Sequence, residues 1–298
     1  MQKWQFLFVS FFLKIFLLEK LKVCLLKSSM FKVSSDLLEI AIIASIEAGK
    51  VLLEYYNNNY LISHKKDNSQ VTEVDKKSEE VIVRHLRKTN ILIISEEDLI
   101  IDYQERIKHE QCWLVDPLDG TKEFIGKNGE FTVNIALIKN TSPLLGVVYS
   151  PLSGWLYFSS PETGSIKILV KNSKLLSETI TKLPNKEIKP YSVRVVVSRS
   201  HLDEQTENFL FVLKEKYPQI EIIKSGSSIK LCKIAEGEAD IYPRFGKTME
   251  WDTAAGHAIL LYANSNLYDI NTLKPLTYNK YNLENPSFIA IRNNFSWY

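Results

Sequence analysis

The segment Asp116-Pro117-Leu118-Asp119-Gly120-Thr121-Lys122-Glu123-Phe124 constrains this chain more than any other. The apolar run before it, Cys112-Trp113-Leu114-Val115, reads as a buried strand, so two carboxylates emerge where that strand ends. Hard divalent cations need several oxygen ligands at one point, and Mg²⁺ favours carboxylates together with phosphate oxygens. Gly120 and Thr121 can then open a helix whose first backbone N–H groups face an anion. One short stretch thus offers a metal site and a phosphate cradle. Asp, Pro and Gly are also ordinary turn residues, and a surface turn accounts for the motif equally well when it is taken alone.

Further acids fall at similar punctuation points. Glu96 follows the apolar run 91–94, Asp75 sits at a helix start, and Asp252 opens a helix after the turn 246–251. Each alone reads as an N-cap or a solvated residue. Together they form a constellation that simple capping does not explain.

A chain of 298 residues holds one large domain or two of ordinary size. Its 45% hydrophobic and 24% charged residues suit a soluble globular protein. Lys+Arg 37 against Asp+Glu 35 leaves a net charge of +2, too small to argue for a nucleic-acid partner. Cys24, Cys112 and Cys232 are scattered without a CxxC pair, which argues against a thiol zinc site or a disulfide framework and fits a reducing cytoplasm.

Ser34-Ser35-Asp36 is an N-cap cluster, and Leu37, Ala41, Ala44, Ala48 and Tyr55 behind it recur at helical steps until the polar run 57–59. A second helix carries Val81, Ile82, His85 and Leu86 near one face. Strands are expected at 131–138, 144–149 and 155–158, the first two joined by a short turn. The polar stretch 171–190, with two prolines, reads as a crossing between domains. After it, strands at 193–197, 221–223 and 239–243 alternate with helices at 204–216, 227–237 and 252–263, the pattern of an α/β layer.

Residues 1–29 are different material. The run 4–18 is almost wholly apolar around Lys14, and Glu19, Lys20, Lys22 and Lys27 follow. It falls short of the ~20 residues a membrane helix needs, and it lacks a small-residue cleavage site for a secretory signal. Three readings compete: an interfacial amphipathic anchor at the cytoplasmic face of the inner membrane, a poor signal peptide, or translation assigned upstream of the true start. Met30, just before the first well-capped helix, favours the last.

The blocks Glu96-Glu97-Asp98, Asp116 to Thr121, and Trp251-Asp252-Thr253-Ala254-Ala255-Gly256-His257 resemble the three signature blocks of the inositol monophosphatase superfamily. Residues 66–72, 121–125 and 128–137, Ser198-Arg199-Ser200-His201 and Gly226-Ser227-Ser228-Ile229-Lys230 are similar to its bacterial CysQ branch, the 3'(2'),5'-bisphosphate nucleotidases. The resemblance covers about residues 34–292. It implies a layered α-β-α-β-α sandwich of the inositol monophosphatase / fructose-1,6-bisphosphatase type, combining an α+β domain at 30–185 with an α/β domain at 186–298. It also implies a Mg²⁺-dependent, lithium-sensitive phosphomonoesterase that converts 3'-phosphoadenosine 5'-phosphate to AMP and phosphate, using two or three ions.

Residue by residue, the family pattern puts the metal on Glu96, Asp116, the Leu118 carbonyl, Asp119 and Asp252, with Glu97 orienting ligands from outside. Asp75 and Thr121 form a dyad that takes a proton from water. Glu96, Gly120, Thr121, Ser198, His201, Gly226, Lys230 and Asp252 contact substrate, and Tyr242 to Phe245 walls the base. His257, among small residues, reads as structural. The expected partner is a small-molecule nucleotide, and the expected state is a monomer. The rivals are an inositol or sugar-phosphate phosphatase on the same metal site, a regulatory binder that has lost the chemistry, and a phosphatase held at the membrane through residues 1–29.

Overall fold

The computed structural model describes residues 34–56, 58, 62–64, 70–98, 101–187, 192–199, 203–293 and 295. The 1–29 extension, its three readings and Met30 lie outside the described residues. Among the described residues no helix is long and apolar enough to cross a membrane.

In chain order, α1 (Ser34–Tyr56) leads through the hairpin β1 (Ile62–His64) and β2 (Gln70–Thr72) into α2 (Glu73–Leu86). Then come β3 (Leu92–Ser95), the short α3 (Tyr103–Arg106), β4 (Gln111–Asp119) and the short α4 (Thr121–Ile125). Five strands follow: β5 (Thr132–Lys139), β6 (Ser142–Tyr149), β7 (Trp155–Ser160), β8 (Gly164–Lys171) and β9 (Lys174–Lys182). The remainder interleaves β10 (Ser192–Ser198), α5 (Glu204–Lys216), β11 (Gln219–Ser225), α6 (Ile229–Glu236), β12 (Ile241–Arg244), α7 (Glu250–Leu261), β13 (Ser265–Asp269) and β14 (Phe288–Arg292).

β3 to β9 form one seven-stranded sheet in sequence order. Only its β3–β4 pair is parallel; the rest is an antiparallel meander. The second sheet has the order β11-β10-β12-β14-β13, with parallel pairing around β10 and antiparallel pairing at β14. Leu38, Ala41, Ile42, Ala48 and Leu52 give α1 a continuous apolar face, buried with Val74, Ile82 and Leu86 of α2 against the first sheet. The opposite face of that sheet, through Leu114, Ala136 and Val148, packs on Leu231 and Ile234 of α6 and Ala255 and Ile259 of α7. Leu267 and Ala290 of the second sheet close the same core. Leu210 and Leu213 of α5 cover the far side of the second sheet over Val193, Val195 and Ile289. Helices, sheet, helices, sheet and helix make the five layers.

The polar stretch 171–190 differs from the expected crossing, because β9 occupies 174–182 within it. β9 is the last strand of the sheet, buries Leu175 and leaves most other side chains part-exposed, so its composition is that of a half-solvated edge. β13 and β14 also escape the periodicity reading. β14 is five buried residues, Phe288 to Arg292, too short a run to separate from a helix turn by pattern.

α7 is buried over nearly its whole length, as a helix between two sheets must be. It lies so close to β6 that a Cβ on Gly146 would overlap the Ala255 carbonyl oxygen and stand 2.8 Å from the Ala258 Cβ. His257 of α7 is enclosed, with Nδ1 2.9 Å from the Tyr278 hydroxyl and Nε2 2.8 Å from Asn266 Oδ1. Burial pushes its pKa down to about 4, so it is a neutral structural side chain near pH 7. Gly146→Ala forces the helix off the sheet. We expect a cost of about 1–3 kcal/mol, measured as a Tm lowered by several degrees.

Candidate active site

Parallel pairing of β3 with β4 places Ser95 opposite Val115, so the next residues leave the sheet side by side. The Glu96 N–H donates to the Val115 carbonyl at 3.2 Å and holds Glu96 next to Asp116. Beyond Asp116, β4 bulges: Asp116 faces Asn134 and Asp119 faces Thr132, three steps on one strand against two on the other. Pro117 brings no N–H to the ladder, and its carbonyl accepts from Ser78 Oγ at 2.7 Å. The Leu118 N–H turns back to Asp116 Oδ1 at 3.0 Å. Gly120, at φ 91°, makes the left-handed turn into α4.

Asp252 arrives from the other side on the first turn of α7, where Oδ2 accepts the Met249 N–H at 2.8 Å. That helix start is anchored through buried Glu250, which accepts the N–H groups of Asn279 (2.5 Å) and Lys280 (3.0 Å) and the Lys280 ammonium (2.6 Å). Arg106 of α3 grips the same segment through Asn279 Oδ1 at 2.8 Å and the Lys280 carbonyl at 3.0 Å.

The outcome is three carboxylates, from Glu96, Asp116 and Asp252, with oxygens all within 4.8 Å of one another. Burial and the charges of Glu96, Asp119 and Asp252 push the Asp116 pKa well above the carboxylate range, and the Leu118 N–H only partly opposes them. Burial, then Asp119 and Glu96, do the same to Asp252. An all-oxygen, mutually repelling donor set of this kind fits a hard divalent cation, whose charge removes the repulsion.

The remaining expected residues are arranged around this cluster. Asp75 is buried in the first turn of α2, and Thr121 Oγ1 lies 3.3 Å from both Asp75 Oδ1 and the Leu118 carbonyl. A hydroxyl has one proton, so it donates to one of these at a time. Asp119 stands outside the three-carboxylate group. Its Oδ2 accepts the Ser228 N–H at 2.6 Å, Asn134 Nδ2 at 3.2 Å and Thr132 Oγ1 at 3.4 Å. Glu97 is half-buried beside Glu96 and also outside the group.

A pocket opens from this cluster between the two sheets. Gly120, Ser198, Lys230 and Asp252 line it, as does the expected wall of Tyr242 and Arg244. Lys230 is buried, with its ammonium 5.6 Å from the Tyr242 ring centroid. Burial lowers its pKa, Arg244 adds to the effect, and Asp119, Glu123 and Glu130 oppose it. Gly226 packs behind the pocket rather than lining it, and His201 lies outside the described residues. Glu123, Ser227, Ser228 and Lys247 line the pocket without having been singled out from sequence. Glu123 and the two serines sit in motifs already noted, but no spacing rule tells which of their neighbours faces a cavity.

The profile of the inositol monophosphatase family matches residues 34–292. The 3'(2'),5'-bisphosphate nucleotidase CysQ of Escherichia coli strain K12 is 40% identical over 246 residues, covering 81% of this chain and 94% of that protein. Its counterpart from Buchnera aphidicola is 42% identical over 224 residues, covering 72% and 78%. The crystal structure of CysQ from Bacteroides thetaiotaomicron superposes with a TM-score of 0.78 at 42% identity, covering 87% of this chain and 98% of that one. A Thermotoga maritima inositol monophosphatase shares the fold at 20% identity, with a TM-score of 0.68. With the family profile spanning both sheets and all three carboxylates of the cluster, the chain belongs to the inositol monophosphatase family.

Proposed function

We propose that this chain is a Mg²⁺-dependent 3'(2'),5'-bisphosphate nucleotidase that hydrolyses 3'-phosphoadenosine 5'-phosphate to AMP and phosphate. One observation carries the reading: a single pocket has Asp119 and Asp252 at the carboxylate cluster and Lys230, Arg244 and Lys247 on its walls. Such a pocket suits a ligand with one phosphoryl group at a cation site and a second among basic side chains. The similarity to CysQ proteins along most of the chain supports the same substrate. The proposal takes the enzyme as a cytoplasmic monomer with the nucleotide as its small-molecule partner.

In this reading Glu96, Asp116, Asp252, the Leu118 carbonyl and Asp119 hold two or three Mg²⁺ ions. When bound, the ions supply Lewis acidity that activates water near neutral pH and offsets charge on the departing ester oxygen. Thr121 Oγ1 accepts the proton of the attacking water while passing its own to Asp75 Oδ1, which is 3.3 Å away. The Gly120 and Thr121 N–H groups hold the phosphoryl group being cleaved, which stays oriented because Gly120 fixes the turn into α4. Lys230 places a cation for the remote phosphate, and Ser198 and His201 complete the nucleotide wall, with Gly226 packed behind it.

Phosphate release from 3'-phosphoadenosine 5'-phosphate, AMP and inositol 1-phosphate in Mg²⁺ tests the substrate. The bisphosphate is expected to be turned over fastest, and faster turnover of inositol 1-phosphate rejects the proposal. Thr121→Ala is expected to lower kcat about 10²-fold with little change in KM, since it removes a proton acceptor rather than a binding contact.

Linkage gives a test that needs no substrate. Asp116 and Asp252 hold protons more tightly folded than unfolded, so without divalent ion stability falls as pH rises from about 4 through their raised pKa values. Mg²⁺ should therefore raise Tm clearly near about pH 7.5 and hardly at all near about pH 4. Asp116→Asn is expected to remove most of that Mg²⁺-induced shift and to lower activity more than about a hundredfold, beyond the loss typical of an outer partner. An undiminished Tm shift in this variant counts against the metal assignment.

A further inference from the structure

The loop between α4 and β5 carries a carboxylate that touches both segments of the second sheet leading into the pocket. Glu130 accepts Arg199 Nε at 2.6 Å and Arg199 Nη2 at 2.9 Å, a two-point pair, and it also accepts the Gly226 N–H at 2.8 Å. Arg199 directly follows Ser198 at the end of β10, and Gly226 directly follows Ser225 at the end of β11. These strand ends are paired, Ser198 opposite Ser225, with the Arg199 N–H donating to the Ser225 carbonyl at 3.1 Å. One side chain from the first sheet's side therefore holds two adjacent strand ends of the second.

The fit is close in the backbone as well. A Cβ on Gly226 would meet Glu123 Cγ at 2.8 Å and the Cβ and carbonyl oxygen of Glu130 at 3.0 Å. A Cβ on Gly120 would also stand 3.0 Å from the Glu130 carbonyl oxygen. Glu130 is thus wedged between Gly120, which lines the pocket, and Gly226 behind it. Burial opposes ionisation of Glu130, yet Arg199, the Gly226 N–H and Lys230 hold its pKa below the usual carboxylate range, so it is charged in use.

The segment between β11 and α6 has a second attachment two residues beyond Gly226. Asp119 Oδ2 accepts the Ser228 N–H at 2.6 Å, and Ser228 Oγ donates to the Asp252 carbonyl at 2.7 Å. Ser228 is thereby tied to the carboxylate cluster, and Gly226 is tied to Glu130. Two fixed points set the direction in which α6 starts, and Lys230 is on its first turn. With one point removed, the loop can pivot about Ser228.

We propose that Glu130 is a positioning residue for substrate: through Arg199 and the Gly226 N–H it holds Ser198 and Lys230 in register with the carboxylate cluster. Glu130 is neither one of the three clustered carboxylates nor a residue of the pocket lining. The Glu130–Arg199 pair is partly exposed, with side-chain exposures of 24% and 44%, and a pair of that kind adds little to global stability. Its effect should fall on recognition of the part of the substrate away from the scissile phosphate.

This inference rests on the nucleotidase reading for the identity of the substrate, and the test separates the two. Steady-state kinetics compare wild type, Glu130→Ala, Glu130→Gln, Arg199→Ala and the double alanine variant. Each is measured on 3'-phosphoadenosine 5'-phosphate and on p-nitrophenyl phosphate, whose single phosphoryl group reaches only the cluster end. Glu130→Ala is expected to raise KM for the bisphosphate about tenfold with kcat held within about twofold. Turnover of p-nitrophenyl phosphate should be unchanged, and Tm should fall by no more than a few degrees. Arg199→Ala should give a smaller KM rise, because the Gly226 N–H keeps its acceptor, and the double variant should lose less than the sum. Glu130→Gln, which keeps an oxygen for Gly226, should fall between wild type and Glu130→Ala. It also carries the test if the alanine variant does not fold. An unchanged KM for the bisphosphate overturns the inference, and so does an equal loss on both substrates with a large fall in Tm. If wild type prefers another phosphomonoester, the nucleotidase reading fails, and the same KM comparison on the preferred ester decides the role of Glu130.

Discussion

Mutual repulsion among buried carboxylates is the constraint around which this molecule is arranged. Glu96, Asp116 and Asp252 converge to within 4.8 Å at a point that burial makes hostile to charge. Left to themselves such groups separate or take up protons. Here three independent supports oppose separation: parallel pairing of β3 with β4, the bulge in β4, and the α7 start held through Glu250 by the 279–280 segment. The free energy of the layered core is thus partly spent on holding an unfavourable arrangement that a cation makes favourable.

The two sheets meet through contacts that are more polar than either core. Asp119 binds the Ser228 N–H, Asn134 Nδ2 donates to Ser228 Oγ at 2.9 Å, and Glu130 holds Arg199 and Gly226. These directional bonds lie at the pocket, while the apolar contacts of α6 and α7 lie behind it. Apolar packing determines that the layers adhere, but it is indifferent to small rotations. Hydrogen bonds at the seam select one rotation.

Much of the arrangement could be read from residue order. Helix periodicity and the Ser34-Ser35-Asp36 cluster mark α1, which runs Ser34–Tyr56, and the alternation after residue 192 marks the strands and helices of the second sheet. The acids were legible because Glu96 and Asp116 follow apolar runs while Asp75 and Asp252 sit at helix starts, all local signals. Other features were not. β9 looked like a linker because an edge strand with one solvated face has a polar composition. The bond from the Ser228 N–H to Asp119 joins residues 109 positions apart in sequence. Glu130 entered only as one position of the 128–137 block, since its partners at 199 and 226 lie beyond the reach of any spacing rule. Tertiary pairing at large separations leaves no periodic trace.

The bulge in β4 has a consequence for how this chain tolerates change. Removing one residue between Asp116 and Asp119 would leave two steps on β4 against two on β5 and so abolish the bulge. The residues that now carry the Pro117 carbonyl to Ser78 and the Leu118 N–H back to Asp116 would be drawn into a regular ladder and lose those contacts. Amino-acid replacement and length variation therefore meet unequal barriers here. Leu118 can exchange for another apolar side chain of its size while its carbonyl stays in place, whereas the three-step interval from one aspartate to the next is a fixed gauge length, closed to insertion or loss.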